Sequence, residues 1–151
     1  MLNPENPMLL STLALFASLM TSTASAESLG RDLTGRSVVI EVSPVKTAVV
    51  FWSLDCTECI SEMVKLESAG IDMVAINTDS AAVASRLRAA VRTHGISSPI
   101  ISDASGRLQR QFQLVEGVVV INELGVLESR STEIHTAAAL APSPNGVVWM
   151  D

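Results

Sequence analysis

Apolar residues along this chain fall into short β-like runs that alternate with stretches of helical period. Residues 37–42 (SVVIEV), led in by Leu33-Thr34-Gly35, form a β-branched run that predicts a strand, interrupted by Ser43-Pro44. Thr47–Trp52 (TAVVFW) is apolar throughout, the pattern of a central strand covered on both faces. Thr57–Ser68 then has helical spacing. Ile60, Met63, Val64 and Glu67 fall on or beside one stripe, and Glu58, Glu62 and Lys65 are left for water. Gly70 supplies the stop, and residues 71–76 (IDMVAI) predict the next strand.

A second helix is expected from a cap at Asp79 or Ser80 to about His94, with Val83, Leu87, Ala90 and Val91 as its apolar stripe and Gly95 as its end. Residues 99–102 read as a short extended piece and 106–112 as a short helix. Residues 118–122 (VVVIN) and 126–131 make a hairpin through Glu123-Leu124-Gly125. This order predicts an α/β fold with a mixed central sheet and helices on both faces. Beyond Ser131 the pattern weakens to a short helix over 133–141 and a loosely held tail over 142–151.

The N-terminus has a different pattern. Residues 8–20 (MLLSTLALFASLM) are apolar but for small hydroxyl residues, and Ala24 and Ala26 stand at the −3 and −1 positions of a cut before Glu27. That is the layout of a secretory signal peptide, and the run is short of the roughly 20 apolar residues of a membrane span. The preceding MLNPENP carries Glu5 and no Lys or Arg, so an uncleaved anchor or a misplaced start codon is the alternative. The expected organisation is a signal peptide or anchor over 1–26, one domain over 27–133, and a short C-terminal helix and tail over 134–151. The location is then extracytoplasmic, periplasmic in a bacterium, with a membrane tether if the segment stays.

Composition narrows the function classes. At 48% hydrophobic and 17% charged residues, the chain can build an ordinary core. Its net charge of −6 becomes −5 without residues 1–26, since only Glu5 is lost. An acidic domain without a basic run and with few aromatics is not a nucleic-acid binder, and it has no basic amphipathic helix for an anionic membrane surface. No GxSxG, HExxH or glycine-rich phosphate loop occurs, and no cofactor or small-molecule substrate is indicated.

The chemistry therefore concentrates on Cys56 and Cys59, the only cysteines, spaced Cys-Thr-Glu-Cys between an apolar strand and a helix start. At i and i+3 the sulfurs share one side of the first turn, close enough to bond. Unpaired N–H groups and the positive helix end favour a thiolate at Cys56, the attacking species in thiol–disulfide exchange. Cys56 is the expected nucleophile and Cys59 the resolving thiol. A structural staple is the plainer reading, but so small a loop restrains the unfolded chain by only about 2 kcal/mol, against roughly 3 for a loop of 15 residues. Zinc prefers four ligands, and only His94 and His135, both distant in sequence, could join the pair. His94 is accounted for by its place at a helix C-terminus.

In ordered combination, Leu33-Thr34-Gly35, residues 48–52 (AVVFW) ending four before Cys56, Ile76-Asn77-Thr78-Asp79, Ile101-Ser102-Asp103 with Gly106, and the run from Val119 to Gly125 resemble the thioredoxin superfamily. The resemblance is to the TlpA-like exported thiol–disulfide oxidoreductases and spans about residues 33–131. It implies a four- or five-stranded mixed sheet and a protein that reduces or exchanges disulfides in partner proteins. An upstream membrane reductase would serve as electron donor. It also places Trp52 beneath the active site, where plain core packing is the other explanation.

Three departures from the family pattern bear on the site. Asp55 stands where a Trp usually precedes the first Cys, and Thr57-Glu58 occupies the intervening pair, which often contains Pro. The two carboxylates oppose a thiolate on Cys56 and are expected to raise its pKa relative to similar proteins. Glu116 falls where the family has a cis-proline, in a loop over 113–117 (QLVEG) a residue or two shorter than usual. A non-proline cis bond costs roughly 3 kcal/mol, so a trans peptide is expected there, with Gly117 supplying backbone freedom. In similar proteins that proline's neighbourhood holds the incoming peptide and keeps metal off the thiols. Its loss opens a second reading, a thioredoxin-like binding module with a redox-inactive or metal-binding CxxC. Glu116 is then either a third acidic group at the site or a solvated loop residue.

Overall fold

A computed structural model describes residues 27–142; the apolar run within 1–26 and the tail beyond 142 lie outside the described residues. In chain order the elements are β1 (Glu27–Arg31), β2 (Ser37–Ile40), β3 (Thr47–Trp52), α1 (Thr57–Ser68) and β4 (Asp72–Asn77). A 3-10 turn (Ala81–Val83), α2 (Ala84–His94), β5 (Ile100–Ser102), α3 (Arg107–Phe112), β6 (Gly117–Ile121), β7 (Leu127–Ser131) and a 3-10 helix (Ile134–Leu140) follow.

Five strands form the central sheet in the order β5-β4-β3-β6-β7. β3 runs parallel to β4, and β4 to β5, while β6 is antiparallel to both β3 and β7. This is the mixed sheet the alternation predicts. The hairpin turns where expected: Asn122 Oδ1 accepts from the N–H groups of Leu124 and Val126, and Gly125 takes the left-handed conformation.

Alternate residues of the central strands face opposite layers, as the twofold strand period requires. Ala48, Val50 and Trp52 of β3 pack with Cys59, Ile60, Met63 and Leu66 of α1, Leu87 of α2, and Ile134 and Ala137 of the last 3-10 helix. Val49 and Phe51 face the other way, onto Leu29, Val38 and Ile40 of the β1–β2 pair and Leu108 and Phe112 of α3. The rings of Phe51 and Phe112 meet with centroids 5.8 Å apart. Covering both faces explains why β3 carries no polar side chain after Thr47.

The structure departs from the periodicity in three places. The strand β1 was not anticipated, and residues 37–40 pair with it in a separate two-stranded sheet rather than with the central one. Residues 27–31 (ESLGR) offer one apolar side chain, the fully buried Leu29, so they carry no visible strand pattern. Of the two expected caps, Ser80 holds the N-cap position, but of a 3-10 turn that precedes α2, and Asp79 uses its carboxylate elsewhere. Of the expected α2 stripe only Leu87 is buried, while Val83, Ala90 and Val91 are half-exposed.

At the far end of α1, Glu67 is not a spare stripe residue. It accepts hydrogen bonds from the backbone N–H and hydroxyl groups of both Ser97 and Ser98, fixing the turn into β5. Partial burial pushes its pKa up, but those hydrogen bonds outweigh burial and hold it below the ordinary carboxylate value. No helix among the described residues is long and apolar enough to cross a membrane.

Candidate active site

The cysteine pair sits where β3 ends and α1 begins. Cys56 is the N-cap of α1, its sulfur accepting from the Cys59 N–H at 3.2 Å. The two sulfurs are joined in a disulfide with the Cα atoms 5.2 Å apart. Cys59 is buried at 3% exposure, packed in the layer that contains Trp52 and Met63, whereas Cys56 is half-exposed. The first sulfur is thus the more open to an incoming group.

The connection from Trp52 to Cys56 is held from the neighbouring strand. The Leu54 N–H donates to Asp79 Oδ2 at 2.8 Å, and Asn77 Nδ2 donates to the same oxygen at 2.9 Å. The Asp79 N–H donates to Asn77 Oδ1, and the N–H of Thr78 donates to the Trp52 carbonyl. Asn77 is fully buried, so its amide is a rigid bracket rather than a surface contact. In the sequence Asn77, Thr78 and Asp79 stand out as part of a recognisable run, but not as the residues that pin the cysteine loop. An Asn-Thr-Asp run after a buried strand is the signal that could have shown it.

Trp52 is fully buried in the layer beneath the pair, and its indole N–H has no hydrogen-bond partner among the described residues. Asp55, Thr57 and Glu58 are exposed and, with Cys56 and Glu116, border a shallow depression beside the disulfide.

Glu116 faces the disulfide from the loop between α3 and β6. Its Oε1 lies 3.0 Å from Cys56 Sγ and 3.2 Å from Cys59 Sγ. In the disulfide neither sulfur carries a proton, so these are close contacts; after reduction the thiols can donate to the carboxylate. Glu116 is thus both solvent-exposed and an acidic group at the site. No peptide bond among the described residues is cis, in line with the absence of proline at 116. Gly117 has φ +133°, and a Cβ there would stand 2.1 Å from the Ser131 carbonyl oxygen, so glycine is required where β6 passes β7. On the other side of the loop, Gln113 ends α3 with φ +53°.

A hollow of about 470 Å³ opens between α1 and this loop, bordered by Cys56, Cys59 and Glu116 and by residues Thr132–His135. Glu58, Glu62 and Glu133 also border it, opposed by Lys65, which pairs with Glu62 at 3.3 Å, and by His135, 3.6 Å from Glu133. His135 is distant from the cysteines in sequence, yet the turn after β7 returns it to their cavity. His94 does end α2, and it borders a different hollow with Thr57, Ile60 and Val64.

Solved structures share this architecture. StoA from Bacillus subtilis aligns with a TM-score of 0.60 at 16% identity, over 79% of this chain and 98% of its own. The thioredoxin domain of a thiol-disulfide oxidoreductase from Bacteroides vulgatus aligns at 0.57 and 18% identity, over 78% and 94% of the two chains. A thiol:disulfide interchange protein from a Bacteroides species aligns at 0.56 and 17%, over 78% and 84%. No protein-family model matches the sequence, and no curated protein matches it. The chain therefore has the thioredoxin-like fold, with a CxxC pair at the start of α1.

Proposed function

We propose that this protein is an exported thiol–disulfide oxidoreductase acting on disulfides of partner proteins through Cys56 and Cys59. The observation that carries the reading is the half-exposed sulfur of Cys56 capping α1 directly above a buried Cys59. The Cys56 thiolate attacks one sulfur of a partner disulfide, forming a mixed disulfide and releasing the partner's other sulfur as a thiolate. The Cys59 thiolate then attacks Cys56 Sγ, closing the internal disulfide and releasing the partner's second thiolate. Two electrons pass from the pair to the partner. Glu116, 3.2 Å from Cys59 Sγ, is within reach to accept the proton Cys59 must lose. The helix N-terminus stabilises the Cys56 thiolate, while Asp55 and Glu58 oppose it.

A membrane reductase outside the cytoplasm would restore the dithiol, consistent with the leader-like pattern of residues 1–26. The similar folds include a thiol-disulfide oxidoreductase and a thiol:disulfide interchange protein, which supports the same chemistry. A redox-inactive binding module is the second reading, favoured by the acidic Glu116 facing the pair where similar proteins hold a peptide backbone.

Insulin reduction separates them. Wild type is expected to turn over, Cys56→Ser to be inert, and Cys59→Ser to stall as a mixed disulfide. A wild type without turnover, whose disulfide also resists dithiothreitol, removes the oxidoreductase reading. A reduction potential below about −300 mV would mark the bond as structural. The mass of the exported protein, with and without alkylation, tests cleavage before Glu27 and thiol state together.

A further inference from the structure

We propose that reduction converts the cysteine pair into a binding site for a zinc-class divalent cation, with Cys56 Sγ, Cys59 Sγ and Glu116 Oε1 as donors, and that the bound ion withholds the thiols from exchange. The proposal rests on the reading above in one respect, that the pair opens and closes.

The donor atoms of these three residues lie within 4.8 Å of one another. Tetrahedral zinc with Zn–S of about 2.3 Å and Zn–O of about 2.0 Å sets a sulfur–oxygen edge of about 3.5 Å and a sulfur–sulfur edge of about 3.8 Å. The present sulfur–oxygen distances are 3.0 and 3.2 Å. Once the disulfide opens, the sulfurs part and the carboxylate needs to retreat by only about 0.3–0.5 Å to complete that edge. Glu116 is exposed and has room for the shift.

The donor chemistry selects the ion. Two thiolates exclude magnesium and calcium, which take oxygen ligands, while a carboxylate is a poor third donor for copper(I). Sulfur with oxygen suits zinc. The fourth position opens toward the hollow and is left to water. Three further carboxylates, Glu58, Glu62 and Glu133, border that hollow and favour a cation over an anion. A proline at position 116 would offer no donor at all, so the site belongs to this chain's own residue.

Balance follows from redox state. A phosphine reductant adds two electrons to the disulfide and becomes its oxide, with water supplying the oxygen and the two thiol protons. The ion then displaces both protons without changing its own oxidation state. The disulfide form has no thiolate to offer. Bound sulfur has committed the lone pair that would attack a partner.

The test uses the full chain, reduced by a phosphine and desalted under argon, titrated first with cobalt(II) and then with zinc(II). One equivalent of cobalt is expected to give a thiolate charge-transfer band and tetrahedral d–d bands, both displaced by zinc. The oxidised protein should give neither. Reduced Glu116→Gln is expected to bind zinc at least about tenfold more weakly, a loss that even an outer-shell partner typically produces. Absence of ion uptake by reduced wild type, or equal affinity in E116Q, overturns the site. If E116Q does not fold, the zinc-minus-apo infrared difference of wild type decides: a shifted carboxylate band supports the Glu116 ligand, and no shift overturns it. Insulin turnover is then measured with one equivalent of zinc and again after chelation. Arrest and recovery are expected, and undiminished turnover in the zinc-loaded protein overturns the regulatory half. Because phosphine does the reducing, ion binding without insulin turnover by metal-free protein would sink the oxidoreductase reading alone. Turnover without ion binding would sink this one alone.

Discussion

The two walls of the cysteine site are held in different ways. On the side of α1, Trp52, Cys59, Met63 and Leu66 are buried together, and the loop before Cys56 is bracketed by Asn77 and Asp79. On the facing side, Val115 and Glu116 are exposed, and the chain reaches them through a left-handed Gln113 and leaves through Gly117. The first wall depends on many apolar contacts, each of which a similar residue can replace. The second depends on two positive-φ positions, of which Gly117 accepts no other residue. Sensitivity to a single change therefore does not follow burial alone.

Gly117→Ala is the sharpest way to break this comparison. It combines a strained positive φ, itself about 1–3 kcal/mol, with a backbone clash, so a loss above about 2 kcal/mol is expected by urea denaturation. A loss below about 0.5 kcal/mol, the range of ordinary surface changes, would mean that the second wall yields freely. Next, Asp79→Ala leaves the Leu54 N–H and the Asn77 amide without their shared acceptor. A loss of roughly 1–2 kcal/mol is expected, with faster alkylation of reduced Cys56 as its loop loosens. Unchanged stability and alkylation together would show that apolar packing alone positions the first wall.

Glu67→Gln has the smallest effect and lies at the end of α1 away from both walls. Glu67's pKa is lower in the folded chain than its ordinary value of 4.5, so the unfolded chain binds its proton more readily. The stability it contributes is present above that ordinary value and is lost as pH falls through the folded one. Wild type should exceed E67Q slightly at neutral pH and converge with it in acid. A gap that widens on acidification would reverse the assigned direction.

The first wall was readable in the sequence and the second largely was not. Thr47–Trp52 and Thr57–Ser68 have the bounds their patterns predict, because burial on both faces of β3 and on one stripe of α1 leaves a periodic trace. Glu116 was flagged only by its offset from a family position, which could not say whether its carboxylate turned toward the sulfurs or toward water. His135 and Glu133 reach the cavity through the turn after β7, a long-range return that local periodicity does not encode. The strand β1 escaped notice because it contributes a single buried side chain, and its pairing is made by backbone groups common to every sequence.

That first strand also has a bearing on how the second face of the sheet is closed. β1 packs through Leu29 on the sheet face away from α1, and Arg107 Nη2 donates to the Leu29 carbonyl at 2.7 Å. Glu27 pairs with Ile40, and its carboxylate accepts from Gln111 Nε2, so β1 also ties α3 to the β1–β2 pair. Without residues 27–31 the apolar face that Leu29 closes, with Phe51, Leu108 and Phe112, would lie open to water.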